Sequence, residues 1–131
     1  MTFHGRVDDA GMLAVLSRCK VSVSVPASDA TSVALLESMA CGLAVVASDL
    51  PANREWLCGD EAVDDLLVSA GDATALARAL QTLLQDDTRA QQLGAINFER
   101  IERDGQRAAQ MDAMAGLYRT LLASAAASRQ A

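Results

Sequence analysis

Residues 21–49 read VSVSVPASDATSVALLESMACGLAVVASD, and they decide the fold. Val21, Val23 and Val25 alternate with serines, a period-2 pattern that predicts a strand over 21–25. Pro26 halts it, because proline has no N–H to give a ladder. Ala27 to Thr31 carries no periodicity and reads as a loop. Thr31 or Ser32 then offers a hydroxyl cap to a helix that runs through Cys41. Gly42 falls just past that helix, where left-handed backbone costs glycine least. Ala44-Val45-Val46-Ala47 is apolar on both faces and predicts a short strand covered on both sides, as in a parallel sheet. Strand, helix, strand is a βαβ unit.

The same alternation continues on either side. Thr2 to His4 reads as the end of a strand closed by Gly5, and Asp8 or Asp9 as the cap of a helix whose Met12, Leu13 and Leu16 share a face. Downstream, Asp49-Leu50-Pro51 turns into a short helix over 53–57, Gly59 and Asp60 break it, and Leu66 to Ser69 is a last strand. Asp72 caps an amphipathic helix bearing Leu76, Leu80, Leu83 and Leu84. Asp86-Asp87 reads as a solvated turn, Thr88 opens a helix to about Ile101, and Asp104-Gly105 breaks it. The final helix places Met111, Met114, Tyr118, Leu121 and Leu122 on one stripe, read as core or interdomain packing. Together these give an α/β domain over 1–124, a parallel sheet with flanking helices and a helical C-terminal region, with 125–131 a disordered tail.

Composition narrows the function. The 131 residues are 51% hydrophobic and 21% charged, enough apolar material for one packed core. Eleven basic residues against 17 acidic ones leave a net charge of −6, which argues against a nucleic-acid or anionic-membrane surface. Phe3, Phe98, Trp56 and Tyr118 are the only aromatics, too few for a base-stacking platform. His4 is the only histidine and Cys19, Cys41 and Cys58 form no CxxC pair, so neither a Cys/His zinc site nor a His-based triad can be built from this chain. The cysteines read as small buried hydrophobes in a reducing compartment. No signal peptide or membrane span is expected.

Chemistry concentrates between Val25 and Asp49, where Asp29 and Glu37 are the only charged side chains within. In open α/β sheets, ligands gather at the carboxyl ends of strands beside helix N-termini, and the loop Pro26 to Ser32 is such a place. Free amides at Thr31, Ser32 and Val33 with the helix dipole favour a phosphate group. A carboxylate such as Glu37 can accept two hydrogen bonds from a vicinal diol. On pattern alone, Asp29 reads first as an aid to the cap and Glu37 as the solvent-facing position of a buried helix, because single carboxylates on helices are usually solvated.

The run Asp29-Ala30-Thr31-Ser32-Val33-Ala34-Leu35-Leu36-Glu37-Ser38-Met39-Ala40-Cys41-Gly42, with Ala44 to Asp49 after it, resembles the signature of family 4 glycosyltransferases. That signature has two acidic residues separated by seven others, a helix ending Met-Ala-x-Gly, a buried strand and a segment like Pro51-Ala52-Asn53-Arg54-Glu55. Phe3-His4-Gly5-Arg6-Val7 is similar to an upstream element of the same family. The resemblance runs from Phe3 to about Leu122 and implies part of a Rossmann-like donor domain of the GT-B fold. It implies that Glu37 binds the nucleotide ribose, that Asp29 is the catalytic acidic position facing the donor sugar, that Thr31, Ser32 and Val33 meet the diphosphate, and that Gly5, Arg6 and Val7 lie near the base. Asp29 stands where the family often has Glu, and Ala30 and Ser32 replace family glycines, so the donor sugar stays open.

What the resemblance implies is a retaining glycosyltransferase of hexosyltransferase type. It would move a sugar from a nucleotide-diphospho-sugar, such as a UDP- or GDP-sugar, to a hydroxyl of a sugar or lipid-linked acceptor, without a metal or other cofactor. The setting would be polysaccharide or glycolipid assembly for the cell envelope, in the cytoplasm or at the cytoplasmic face of the inner membrane. The acceptor domain, two donor-domain strands and the family's Arg and Lys clamp are not in this stretch, so the fragment alone is expected to be inactive, with its missing N-terminal half or a partner chain required. In the strand order 3-2-1-4-5-6, Phe3 would lie on strand three and Val21–Val25, Ala44–Ala47 and Leu66–Ser69 on strands four, five and six. A nucleotide-sugar epimerase of the same fold, and a non-catalytic nucleotide-binding or partner-binding half-domain, remain the alternatives. His4, Cys41 and Trp56 read as structural, and Arg54 and Glu55 as a pair that could steady the short helix.

Overall fold

The computed structural model describes residues 1–57 and 61–128. The break expected at Gly59 and Asp60, and Cys58, lie outside the described residues. Three parallel strands, β1 (Val21–Ser24), β2 (Ala44–Ser48) and β3 (Leu67–Val68), form a sheet in the order β1-β2-β3. Val21 pairs in register with Ala44 and Ser24 with Ala47, while Ala47 and Ser48 pair with Leu67 and Val68. Parallel neighbours need crossovers, and helices supply them: α2 (Val33–Ala40) between β1 and β2, then α3 (Pro51–Leu57) and a 3-10 helix (Glu61–Leu66) between β2 and β3. α4 (Ala73–Gln85), α5 (Asp87–Asp104) and α6 (Arg107–Ser128) follow the sheet, and α1 (Asp9–Leu16) precedes it.

All five residues of β2 are buried, because helices cover both faces of the sheet. Ala44 and Val46 pack with Val68 and with Ala79 and Leu83 of α4. Val45 and Ala47 point the other way, onto Leu35 and Met39 of α2, Leu57 of α3 and Ile101 of α5. α5 serves both cores, giving Ala90 and Leu93 to the first. Its seat depends on glycine. A Cβ on Gly94 would stand 2.1 Å from the Gly42 carbonyl oxygen, and Gly42 itself has φ +70°. Beside that contact, Asn97 donates through Nδ2 to the Leu43 carbonyl at 2.8 Å, fixing α5 against the start of β2.

Several expectations need correction. Residues 2–4 form no strand, and Phe3 is 83% exposed. A strand needs a hydrogen-bonding neighbour, and none of the described strands lies beside it. In α1 the half-buried residues are Met12, Val15 and Leu16, while Leu13 faces solvent. Leu84 of α4 is likewise exposed, and Ala79 takes the buried position. Asp86 and Asp87 are exposed as expected, but Asp86 is also a helix cap: it accepts from the Arg89 amide at 2.9 Å, so α5 starts at Asp87, which pairs with Lys20 at 2.8 Å. The α6 stripe is not core, since Met111, Met114, Tyr118, Leu121 and Leu122 are all at least half exposed. α6 continues to Ser128, so the tail expected from Ala125 falls partly within it and partly, at 129–131, outside the described residues.

Two predictions follow from this packing. Gly94→Ala and Gly116→Ala both place alanine inside a helix, yet their effects should oppose. At Gly94 the backbone clash should cost roughly 1–3 kcal/mol. At Gly116 no atom lies within 4 Å of the added Cβ, so the gain in helix propensity should stabilise by about 0.5–1 kcal/mol. Urea titration of the two variants reads both signs. The second concerns β1, which among the described residues pairs only with β2 and leaves Val23 44% exposed. Such an edge templates further pairing, so the 131-residue chain should self-associate, with elution in size exclusion shifting on dilution and Val23→Lys suppressing the shift. A monomer with a concentration-independent thermal transition above about 60 °C would contradict this.

Candidate functional site

The carboxyl ends of β1 and β2 and the N-terminus of α2 meet around the loop 26–32. Of the two candidate caps, Ser32 is the one used. It is buried, its backbone is extended with ψ 119°, and its Oγ accepts from the Leu35 amide at 3.4 Å. The Leu36 amide bonds the Ser32 carbonyl at 3.1 Å. The amides of Thr31, Ser32, Val33 and Ala34 find no acceptor among the described residues, so the positive end of the α2 dipole faces outward with its donors unspent.

Glu37 lies four residues after Val33, one turn further along the same helix face. Val33 is exposed and Glu37 half-buried, and among the described residues the Glu37 carboxylate has no hydrogen-bond or ion-pair partner. Asp29, in the loop, is exposed and equally unpartnered. The helix end therefore presents unspent amide donors with two free carboxylates, one in the loop before it and one a turn inside. An anionic group flanked by hydroxyls matches that set, the anion on the amides and the hydroxyls on the carboxylates.

Neighbouring elements brace the loop. Ser48, at the end of β2, donates its hydroxyl to the Pro26 carbonyl at 2.5 Å. Asn53 of α3, 2% exposed, donates from Nδ2 to the Ser48 carbonyl at 2.8 Å. Its Oδ1 is buried with no donor among the described residues. Ser22 and Ser38 share a 2.7 Å hydrogen bond that ties α2 to β1. Ser48 and Asn53 escaped sequence reasoning because each is a polar residue near an apolar run with no motif of its own. The only signal was a serine closing a strand that is otherwise Ala and Val.

Other candidate residues lie elsewhere or pair differently. Gly5, with φ +62°, Arg6 and Val7 sit in an exposed segment before α1, and no hydrogen bond or ion pair links them to Asp29 or Glu37. Thr2 and His4 instead line a surface depression with Val15, Arg18 and Cys19. Arg54 does not pair with Glu55. It grips Asp49 with two bonds, at 2.5 and 2.8 Å, and this hydrogen bonding holds the Asp49 carboxyl below the usual carboxylate range. Both side chains are partly exposed, so the pair adds little stability. Cys41 caps the C-terminus of α2, and Trp56 packs beside the second core while its carbonyl accepts from Arg100. Among the described residues no three His, Cys, Asp or Glu side chains are placed to hold a metal ion, and no helix is long and apolar enough to cross a membrane.

Comparison with known proteins gives this arrangement a lineage. The family model described as glycosyl transferases group 1 matches residues 1–86. A phosphatidyl-myo-inositol mannosyltransferase of Mycobacterium leprae is 39% identical over 102 residues, covering 77% of this chain and 27% of that protein. A phosphatidyl-myo-inositol mannosyltransferase of Mycolicibacterium smegmatis is 38% identical over 88 residues, covering 66% of this chain and 22% of its own length. The chain thus spans about a quarter of the curated relatives it matches. With a βαβ core, a helix N-terminus at its carboxyl edge and this family match over 1–86, the chain belongs to the group 1 glycosyltransferases, with family 4-type acidic spacing at Asp29 and Glu37.

Proposed function

We propose that the chain is the donor-binding part of a retaining, GT-B-type glycosyltransferase that uses a nucleotide-diphospho-sugar. The observation that carries this reading is the α2 N-terminus, with free amides at Thr31, Ser32 and Val33 and an unpartnered Glu37 one turn further on the same face. The diphosphate sits on the amides, Glu37 accepts from the ribose hydroxyls, and Asp29 meets the donor sugar across the loop. The names of the relatives suggest a mannosyl donor and an inositol-lipid acceptor, and assembly of envelope lipids at a membrane surface goes with that reading. As the glycosidic bond to the diphosphate breaks, negative charge grows on the leaving group. Preorganised amides and the helix dipole stabilise that charge with no reorganisation cost.

No lysine or arginine lies between Lys20 and Arg54. Arg54, close by in sequence, is engaged by Asp49. The remaining charge stabilisation and the acceptor site therefore belong to residues outside this chain. The epimerase reading gains nothing from the geometry. A purely partner-binding role is favoured only by the exposed α6 stripe, which lies far along the chain from the loop and is compatible with transfer.

The test extends the chain upstream with the corresponding region of the Mycobacterium leprae relative and measures UDP and GDP binding by calorimetry. Glu37→Ala should weaken nucleotide binding by roughly 1.5–3 kcal/mol, the worth of a charge-assisted hydrogen bond, and Glu37→Gln by part of that. Asp29→Asn should leave free-nucleotide affinity near wild type while impairing transfer. Equal nucleotide binding by wild type and Glu37→Ala removes the ribose assignment. Lost nucleotide affinity with unchanged turnover in Asp29→Asn reverses the two roles.

A further inference from the structure

We infer that Ser48 is a positioning residue for the donor sugar: its buried hydroxyl, through the Pro26 carbonyl, holds the loop that carries Asp29. The inference rests on the function proposed above for Asp29. Residues 44–47 of β2 are alanine and valine, and only Ser48 adds a polar side chain, at 1% exposure. A hydroxyl buried that deeply is costly unless it is hydrogen-bonded, and here it has one acceptor, the Pro26 oxygen at 2.5 Å. Pro26 has no N–H to give a ladder, and its carbonyl remains free to accept the Ser48 hydroxyl.

Between that carbonyl and the Ser32 cap, residues 27–31 make no hydrogen bond among the described residues. The loop thus has two ties, Ser48 at one end and the α2 cap at the other. Asp29 stands three residues from the first and three from the second. Ser48 is in turn held from behind. Its carbonyl accepts from Asn53 Nδ2 and from the Leu50 amide, both at 2.8 Å, and the next residue, Asp49, bonds the Val68 carbonyl of β3 through its amide at 2.8 Å. The hydroxyl is therefore a fixed point of the sheet reaching to a connection with no hydrogen bonds of its own among the described residues. Catalytic groups misplaced by an ångström lose much of their effect, so a loop tied at so few points makes each tie consequential.

Thr and Val at position 48 isolate the hydroxyl, because the two side chains share a shape and differ by that group, so any cost of the added methyl cancels. In the 131-residue chain, endoproteinase Asp-N should cut before Asp29 roughly five- to tenfold faster in Ser48→Val than in Ser48→Thr, the factor of about one net hydrogen bond, with cutting before Asp112 of α6 unchanged. In the upstream-extended protein, Ser48→Val should lose about tenfold in affinity for the nucleotide-sugar relative to the bare nucleotide, a ratio that Ser48→Thr should keep near wild type. Equal cutting before Asp29 in the two variants overturns the tie and leaves the proposed function untouched. Faster cutting with an unchanged ratio reduces Ser48 to a structural role and overturns positioning. Failure of wild type to bind bare nucleotide defeats the proposed function itself, and the positioning role with it.

Discussion

The structure depends on burying β2 from both sides. A strand whose five residues all lose contact with water cannot stand at the surface, so it demands a parallel neighbour on each edge and a helical layer on each face. α2 and α4 answer that demand from opposite sides, and α5 reaches both cores. The Gly42–Gly94 approach belongs to the same constraint. A helix that must contribute to two cores has to come close to the turn feeding β2, and only a residue without Cβ allows a 2.1 Å virtual contact to be empty space.

The same constraint creates the site. Parallel strands deliver their carboxyl ends to one edge, and each crossover starts a helix there, so free amides collect on that edge. At α2 the Ser32 hydroxyl satisfies one donor and leaves the preceding ones without an acceptor among the described residues, beside a carboxylate one turn away that has no partner among them either. Asp29, Thr31, Val33 and Ala34 are exposed and Glu37 is half-buried, so water can serve these groups and a ligand can replace it at little cost. The acidic net charge is compatible with the proposed function, in which backbone dipoles rather than a basic patch would hold the anion.

The βαβ heart was legible because period-2 alternation at 21–25, an apolar run at 44–47 and Gly42 all point to one geometry. The cap at Asp72 was legible for the same local reason, and Asp8 and Ser32 were each one of two neighbouring candidates until the structure showed which side chain bonds the amide three residues on. What the pattern could not show was set by neighbours. Among the described residues the Phe3 segment has strand-like residues and no strand beside it, and the α6 stripe has core-like residues that stay at least half exposed. Arg54 chose Asp49, five residues back, over adjacent Glu55, since consecutive helical residues point apart. Of the candidate site, the positions of Asp29 in the loop and Glu37 inside α2 were readable in the sequence, and the roles proposed for them come from the family resemblance. Ser48 and Asn53 were not, because their roles arise from strand ends that meet only in three dimensions.

The central claim is that a nucleoside diphosphate lands on the N-terminus of α2. Amide chemical-shift mapping of the 131-residue chain with increasing UDP or GDP tests it most directly. The account predicts saturable shifts concentrated at Thr31 to Leu35 and at Glu37, with the α4 N-terminus near Asp72 unmoved. Shifts centred on Gly71 to Leu76 instead, or scattered without saturation, would contradict it.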